Sequence, residues 1–269
     1  MGDLRFRHRT AGRFAGRISS TAILDTALQL RRSFMTSSIV ITGASRGIGK
    51  TLATRFIRQG KYDLIAIVRN REAGQRLQRE WESLSPTCRI TLHEADLSDS
   101  EEVTSLCRRL ENEPNIEVFI NNAGIFHGGT EAITPTQLAE LTAINFLAPV
   151  QLIQAVLPAM KKKRAGYIFN IISNSARRAL PGIGAYSASK HALLGFSESL
   201  MLDLLPYNIK VSNINPAFVD TDMTRDFPGV MAEDKIQTDD VVNCVQLLLS
   251  LSPGAIVPNI DLECCRFLR

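Results

Sequence analysis

Cysteine is scarce and scattered in this 269-residue chain: Cys88, Cys107, Cys244, Cys264 and Cys265 form no C-x-x-C pair and no metal-ligand spacing. An odd set of thiols spread over a large domain argues against a disulfide framework and predicts a reducing compartment, taken as the cytoplasm. The adjacent Cys264 and Cys265 read as two apolar-leaning residues of a closing strand, with a redox pair as the alternative. Metal chemistry lacks its residues too, since His93, His127 and His191 have no ligand spacing, and no metal site is predicted. No uninterrupted apolar run approaches the roughly 18 residues of a membrane-spanning helix, so no span is predicted. Internal repeats, linkers and composition shifts are missing after residue 36, which predicts one domain over 37–269.

Acidic residues are what the start of the chain lacks. Residues 1–34 hold seven arginines against Asp3 and Asp25, and without them the chain has 24 basic and 25 acidic residues. The formal charge of +4 therefore belongs to the leader, and no nucleic-acid surface is predicted. Ser19, Ser20, Ser33 and a helix-capable stretch over 22–32 make the leader similar to an organelle transit peptide. Asp3 and Asp25 weaken that likeness, and Met35 stands just before the first apolar run. Residues 1–36 are expected to be a disordered or mis-started extension, with mitochondrial targeting as the alternative.

What the chain does have begins at Ser38. The run Ser38-Ile39-Val40-Ile41-Thr42 ends in Gly43-Ala44-Ser45-Arg46-Gly47-Ile48-Gly49, and an amphipathic stretch follows. That order reads strand, tight turn, helix. Glycines let the backbone approach a ligand, and a helix start offers unpaired N–H groups and a positive dipole end, so the turn suits phosphate. A turn that needs glycine only sterically is the alternative. Downstream, helices are predicted over 47–59, 71–84, 99–110, 135–160, 184–205 and 238–251, alternating with strands over 63–68, 89–93, 117–120, 166–172, 209–214 and 255–260. This alternation predicts an α/β fold: a single doubly wound parallel sheet of Rossmann type, with helices on both faces and its ligand crevice at the carboxyl ends of the strands.

Each strand end carries compatible chemistry. After the second strand Arg69 falls twenty residues past Gly49, where dinucleotide folds that prefer NAD carry an acid. A guanidinium there, with Arg46 in the turn, suits a 2′-phosphate and favours NADP, unless Arg69 is merely a solvated surface residue. Asp96-Leu97 after the third strand places a carboxylate for an adenine amino group, or for capping a helix. Asn121-Asn122-Ala123-Gly124 after the fourth lets backbone pass near a ribose, or serves loop N–H groups. Tyr186 and Lys190 stand at i and i+4 on one helix face, where an ammonium favours the phenolate and is expected to draw the tyrosine pKa toward neutrality. Ser173 ends the preceding strand and can donate to a carbonyl oxygen in the same crevice, and Asn145 is an amide amid Leu141, Ile144, Phe146 and Leu147 that needs a reason.

These motifs, in this order, resemble those of the short-chain dehydrogenase/reductase family over about 39–221, and look closest to its 3-oxoacyl-carrier-protein reductases. The resemblance implies an NAD(P)-dependent oxidoreductase with Tyr186 as acid/base. Lys190 would hold the nicotinamide ribose and lower the tyrosine pKa, Ser173 would orient the substrate oxygen, and Asn145 would anchor a water in a proton relay. It also implies cofactor-lining roles for Asp96 and 122–124, and for a loop beside the nicotinamide that includes Pro216, Val219 and Thr221. Two departures stand out: Pro216-Ala217 where the family has Pro-Gly, and a C-terminus, 255–269, without the reductases' Gly-Gly ending. The expected function is NADPH-dependent reduction of a ketone or aldehyde. Alternatives are alcohol oxidation by the same residues, or a noncatalytic NADP-sensing protein of the same fold. The expected partner is a small carbonyl or alcohol, contacted by 175–184 and by a mobile lid over 218–236 with Met223, Phe227 and Met231. A homodimer or homotetramer through the helices beginning near Pro135 and Gly184 is expected from the family.

Overall fold

Along the first strand the side chains part by turns. Ile39 and Ile41 pack with Phe56, Trp81 and Val245 on one face, while Val40 packs with Leu106, Leu152 and Leu204 on the other. The second strand repeats this, with Leu64, Ala66 and Val68 on the first face and Ile65 and Ile67 on the second. A strand covered on both faces has no polar side to show, and its sequence therefore reads as a continuous apolar run.

The computed structural model describes residues 37–178, 180–227 and 229–268, so the basic leader and every reading placed on it lie outside the described residues. Seven strands form one parallel sheet: β1 (Ser38–Thr42), β2 (Asp63–Val68), β3 (Ile90–Glu94), β4 (Ile116–Asn121), β5 (Gly166–Ile171), β6 (Ile209–Pro216) and β7 (Asn259–Leu262), in the order β3-β2-β1-β4-β5-β6-β7. Helices α1 (Gly47–Gln59), α2 (Arg71–Leu84) and α7 (Thr238–Ser250) cover one face. Helices α3 (Ser100–Glu111), α5 (Ala148–Lys163) and α6 (Gly184–Leu204) cover the other, with the short α4 (Pro135–Thr142) leading into α5. This is the doubly wound Rossmann-type sheet that the alternation predicts. The chain leaves β1 toward β2 on one side and returns to β4 on the other, so the crevice opens between the ends of β1 and β4.

Two elements depart from the sequence pattern. The predicted helix 135–160 is interrupted by a π-helical turn, Ala143–Leu147, centred on Asn145. Apolar spacing continues through it, so periodicity gave no sign of the extra residue. The last strand lies at Asn259–Leu262 and not at 255–260, so Cys264 and Cys265 follow it. Cys264 is buried with its thiol on the Phe218 carbonyl (3.5 Å), and Cys265 is exposed. By length and composition the stretch Pro135–Lys163 could cross a membrane, with a mean hydropathy of 1.5 in its most apolar window. That window is 56% buried within the fold, as expected of a core helix.

Candidate active site

The turn after β1 is shaped from both ends. Gly43 and Gly47 adopt φ of +65° and +51°, where a side chain is strained, and a Cβ on Gly49 would lie 2.2 Å from the Gly43 carbonyl oxygen. From the β4 side, Thr42 Oγ1 accepts from the N–H groups of Asn122 and Ala123, both at 2.9 Å. Asn122 Nδ2 in turn donates to the carbonyls of Thr42 (2.9 Å) and Gly43 (3.3 Å). Asn122 therefore spends its donors on holding the turn, and contributes to the crevice as a wall.

Helix starts distinguish this turn from its neighbours. Asn70 caps α2 by accepting from Ala73 N–H (2.8 Å), and Asp99, not Asp96, caps α3 through the N–H groups of Glu101 and Glu102. At α1 the capping position is Arg46, which has no side-chain cap bond, and the first turn carries no acid. Its amide protons and dipole are left facing the crevice, an arrangement that suits an anion.

A groove of about 420 Å³ runs from this turn across the sheet edge. Gly43, Ser45, Arg46, Gly47 and Ile48 line it, as do Arg69, Asp96, Leu97 and Asn122, Ala123, Gly124, while Gly49 packs underneath. Asp96 Oδ1 accepts from the Ser98 amide (2.9 Å) and hydroxyl (2.7 Å), and those bonds, helped by Arg69, hold its carboxyl below the usual carboxylate range. Thr221 also lines the groove, and Arg46 reaches Asp222 at 3.6 Å.

Ile48, Asn122, Gly124, Thr221 and Met223 belong both to this groove and to a second pocket of about 270 Å³, so the two are continuous. The second pocket brings Ser173, Tyr186, Lys190, Pro216 and Val219 together. Ser173 Oγ accepts from the Ser175 amide (3.2 Å) and hydroxyl (2.9 Å), which leaves its own proton for Tyr186. Tyr186 is 9% exposed and meets the edge of Phe126 at 5.1 Å. Lys190 Nζ lies 5.8 Å from the Tyr186 ring centroid and donates to the Ile171 carbonyl at 3.4 Å.

The electrostatic expectation for this pair is overturned. Burial pushes the Tyr186 hydroxyl up to about 12, against the lowering by the Ser173 hydrogen bond. Burial also draws Lys190 down to about 8. Each charged form loses its water on burial, and that loss sets the direction of both shifts.

Asn145 stands apart from the pocket. Its Oδ1 accepts from Ile125 N–H (2.9 Å), and its Nδ2 donates to the Ile125 carbonyl and to Ser189 Oγ, both at 3.0 Å. The buried amide thus ties the loop after β4 to α6. A Cβ on Gly124 would meet Asn145 Oδ1 and Lys190 Nζ, each at 3.3 Å, so this loop passes close to both.

Leu180, Ile183, Met223 and Phe227 come to the pocket from the two segments expected to meet substrate, and Met231 does not: it is 55% exposed. Ala217 keeps an ordinary negative φ and donates to the Leu262 carbonyl (2.8 Å), so the missing glycine of Pro216-Ala217 costs nothing. Sequence reasoning missed Phe126, whose signal was an aromatic two residues beyond Gly124. It also missed Lys235, a 7% exposed lysine donating to the carbonyls of Thr224 (2.7 Å) and Arg225 (3.4 Å), for which the sequence carried no signal.

A family model described as short chain dehydrogenase matches residues 37–229. Dehydrogenase/reductase SDR family member 7B of Xenopus laevis is 33% identical over 213 residues, 75% of this chain and 65% of that protein, so the chain spans just under two thirds of that relative. Among solved structures, a short-chain dehydrogenase from Sphingobium yanoikuyae in complex with NADPH is 28% identical with a TM-score of 0.75, covering 82% of this chain and 87% of that one. A betaketoacyl-[ACP] reductase from Bacteroides thetaiotaomicron is 26% identical with a TM-score of 0.74, over 87% and 99% of the two chains. The likeness to 3-oxoacyl-carrier-protein reductases drawn from the motifs is thus present in the fold.

Proposed function

The chain belongs to the short-chain dehydrogenase family of oxidoreductases, and from that premise we propose that it reduces a ketone or aldehyde with NADPH. The observation that carries this reading is the buried Tyr186 hydroxyl, aimed into a pocket continuous with the groove over the glycine turn. The groove's residues fit a dinucleotide. The space that a Cβ on Gly49 would fill is already occupied by backbone, α1 begins without a cap, and Arg46 and Arg69 supply cations for a 2′-phosphate. NADPH, when bound, supplies the hydride.

The chain's own residues manage the oxygen. Ser173, with its acceptor sites filled by Ser175, turns its one proton from Tyr186 to the carbonyl oxygen when substrate enters, and so orients it. Tyr186 holds its proton through neutral pH because burial raises its pKa, and it gives that proton to the oxygen as negative charge develops there. Lys190 holds the cofactor's ribose and offers the compensating proton, which its depressed pKa eases. Asn145 acts through Ile125 and Ser189, setting the α6 face that carries Tyr186, and the relay water is placed beside it in this reading.

Phe126, Ile183, Phe218 and Phe227 surround the reacting position, which favours a carbonyl with apolar substituents. Self-association as a homodimer or homotetramer and residence in the cytoplasm belong to the same proposal. The exposed Leu138, Leu147 and Leu202 on the relevant helices support the first, and the free cysteines the second. A panel of ketones and aldehydes followed by NADPH absorbance tests the activity. Turnover is expected with apolar carbonyls, and tight NADPH binding without turnover of any carbonyl sinks it.

A further inference from the structure

The glycine turn is roofed by a segment that also belongs to the substrate pocket. A Cβ on Gly47 would meet Thr221 Cγ2 at 3.1 Å, which puts the stretch after β6 directly over the turn. The next residue, Asp222, holds Arg46 Nη1 at 3.6 Å through Oδ2 and accepts from Arg225 Nη2 through its other oxygen. The Arg46 and Asp222 side chains are 66% and 43% exposed. An exposed pair of this kind adds little to stability, so its place in the groove is what needs an account. The groove's other guanidinium, Arg69, is near enough to Asp96 to help lower its carboxyl, the smallest of the influences on that group. Arg46, a cation that a 2′-phosphate would use, is thus already answered by an anion of the chain.

We propose that Asp222 is a specificity-determining residue of the cofactor site, an internal carboxylate that occupies Arg46 and is exchanged there for the ribose phosphate of NADP(H). This rests on the NADP reading above. The exchange replaces one anion by another at the same guanidinium, and Asp222 keeps Arg225 as its partner afterwards. A cofactor without the phosphate offers Arg46 nothing and leaves the pair in place. Asp222 opens the three-residue turn Asp222–Thr224, whose far end is pinned by Lys235, and Met223 and Thr224 of that turn line the reactive pocket. The wall shared by the two sites therefore has one buried tether that stays and one exposed tether that only the phosphorylated cofactor releases.

Calorimetric titration of the full chain with NADPH and with NADH tests this, using the unaltered protein, Asp222→Asn, Arg46→Gln and the double variant. Asp222→Asn is expected to tighten NADPH binding by roughly three- to tenfold while NADH changes by less than about twofold, and the gain should vanish when Arg46 is also replaced. Asp222→Ser should reproduce the gain, and thermal unfolding of each variant confirms that the fold is kept. Equal tightening for both cofactors, a gain that survives the loss of Arg46, or weaker NADPH binding overturns the proposal. A preference of the unaltered chain for NADH overturns the NADP reading itself, and is seen before any variant is made.

Discussion

Tyr167 and Tyr186 carry the same three groups and do different things. Tyr167 is 7% exposed, its hydroxyl lies 2.9 Å from Ser212 Oγ, and Lys210 Nζ stands 5.9 Å from its ring centroid. Tyr186 is 9% exposed, is hydrogen-bonded by Ser173, and has Lys190 Nζ at 5.8 Å. Burial raises both phenols. The difference is where the proton chain ends. Ser212 Oγ donates to the Val257 carbonyl at 2.6 Å, and Phe169 stacks on the Tyr167 ring at 4.1 Å, so that network closes on backbone and packing. Around Tyr186, Ser175 fills the acceptors of Ser173, and both hydroxyls line an open pocket. A phenol, a hydroxyl and an ammonium are therefore not enough: a reacting atom must have room between them.

The sharpest way to break this comparison is to remove one hydroxyl at a time. Tyr186→Phe is expected to lower kcat by about 10²- to 10⁴-fold, the worth of a general acid, with NADPH affinity and Tm nearly unchanged. Tyr167→Phe should leave turnover intact and cost about 1 kcal/mol of stability in urea unfolding, the net value of a buried hydrogen bond. Similar losses of activity in the two variants would refute the assignment of roles.

A second test uses pH. Lys190 titrates near 8 in the folded chain against an ordinary 10.5, so between those values the unfolded chain binds the extra proton and stability rises with pH. The rise is on the order of 3 kcal/mol, and a Lys190→Met variant should lack it. Tyr186 has the opposite sign: its folded value near 12 exceeds the ordinary 10.0, so its contribution is full below pH 10 and is lost between 10 and 12. Tyr186→Phe should flatten that fall, and denaturant midpoints measured across pH 7–12 would read both.

A smaller effect is expected at Gly124. Gly124→Ala adds a methyl 3.3 Å from both Lys190 Nζ and Asn145 Oδ1, and should weaken NADPH binding by roughly three- to tenfold with little change in Tm. Unchanged affinity would mean that this loop yields without moving the lysine.

The chain itself determined the parts that follow from local periodicity and backbone chemistry. The apolar runs of β1 and β2, the glycines whose conformation and closeness leave no room for a side chain, and the i, i+4 spacing of Tyr186 and Lys190 can all be read residue by residue. So the sheet, its crevice and most of the residues that meet there were legible. The π-helical turn at Asn145 was not, because an inserted residue leaves apolar spacing almost intact. Nor was the sign of the Tyr186 shift, which depends on how much water the folded pocket removes and not on which residues are neighbours. Phe126 beside the phenol, Lys235 beneath the Asp222–Thr224 turn, and Asp222 against Arg46 join segments far apart in the chain. Only tertiary structure decides such pairings, since burial and the distances between side chains exist only once the elements have packed.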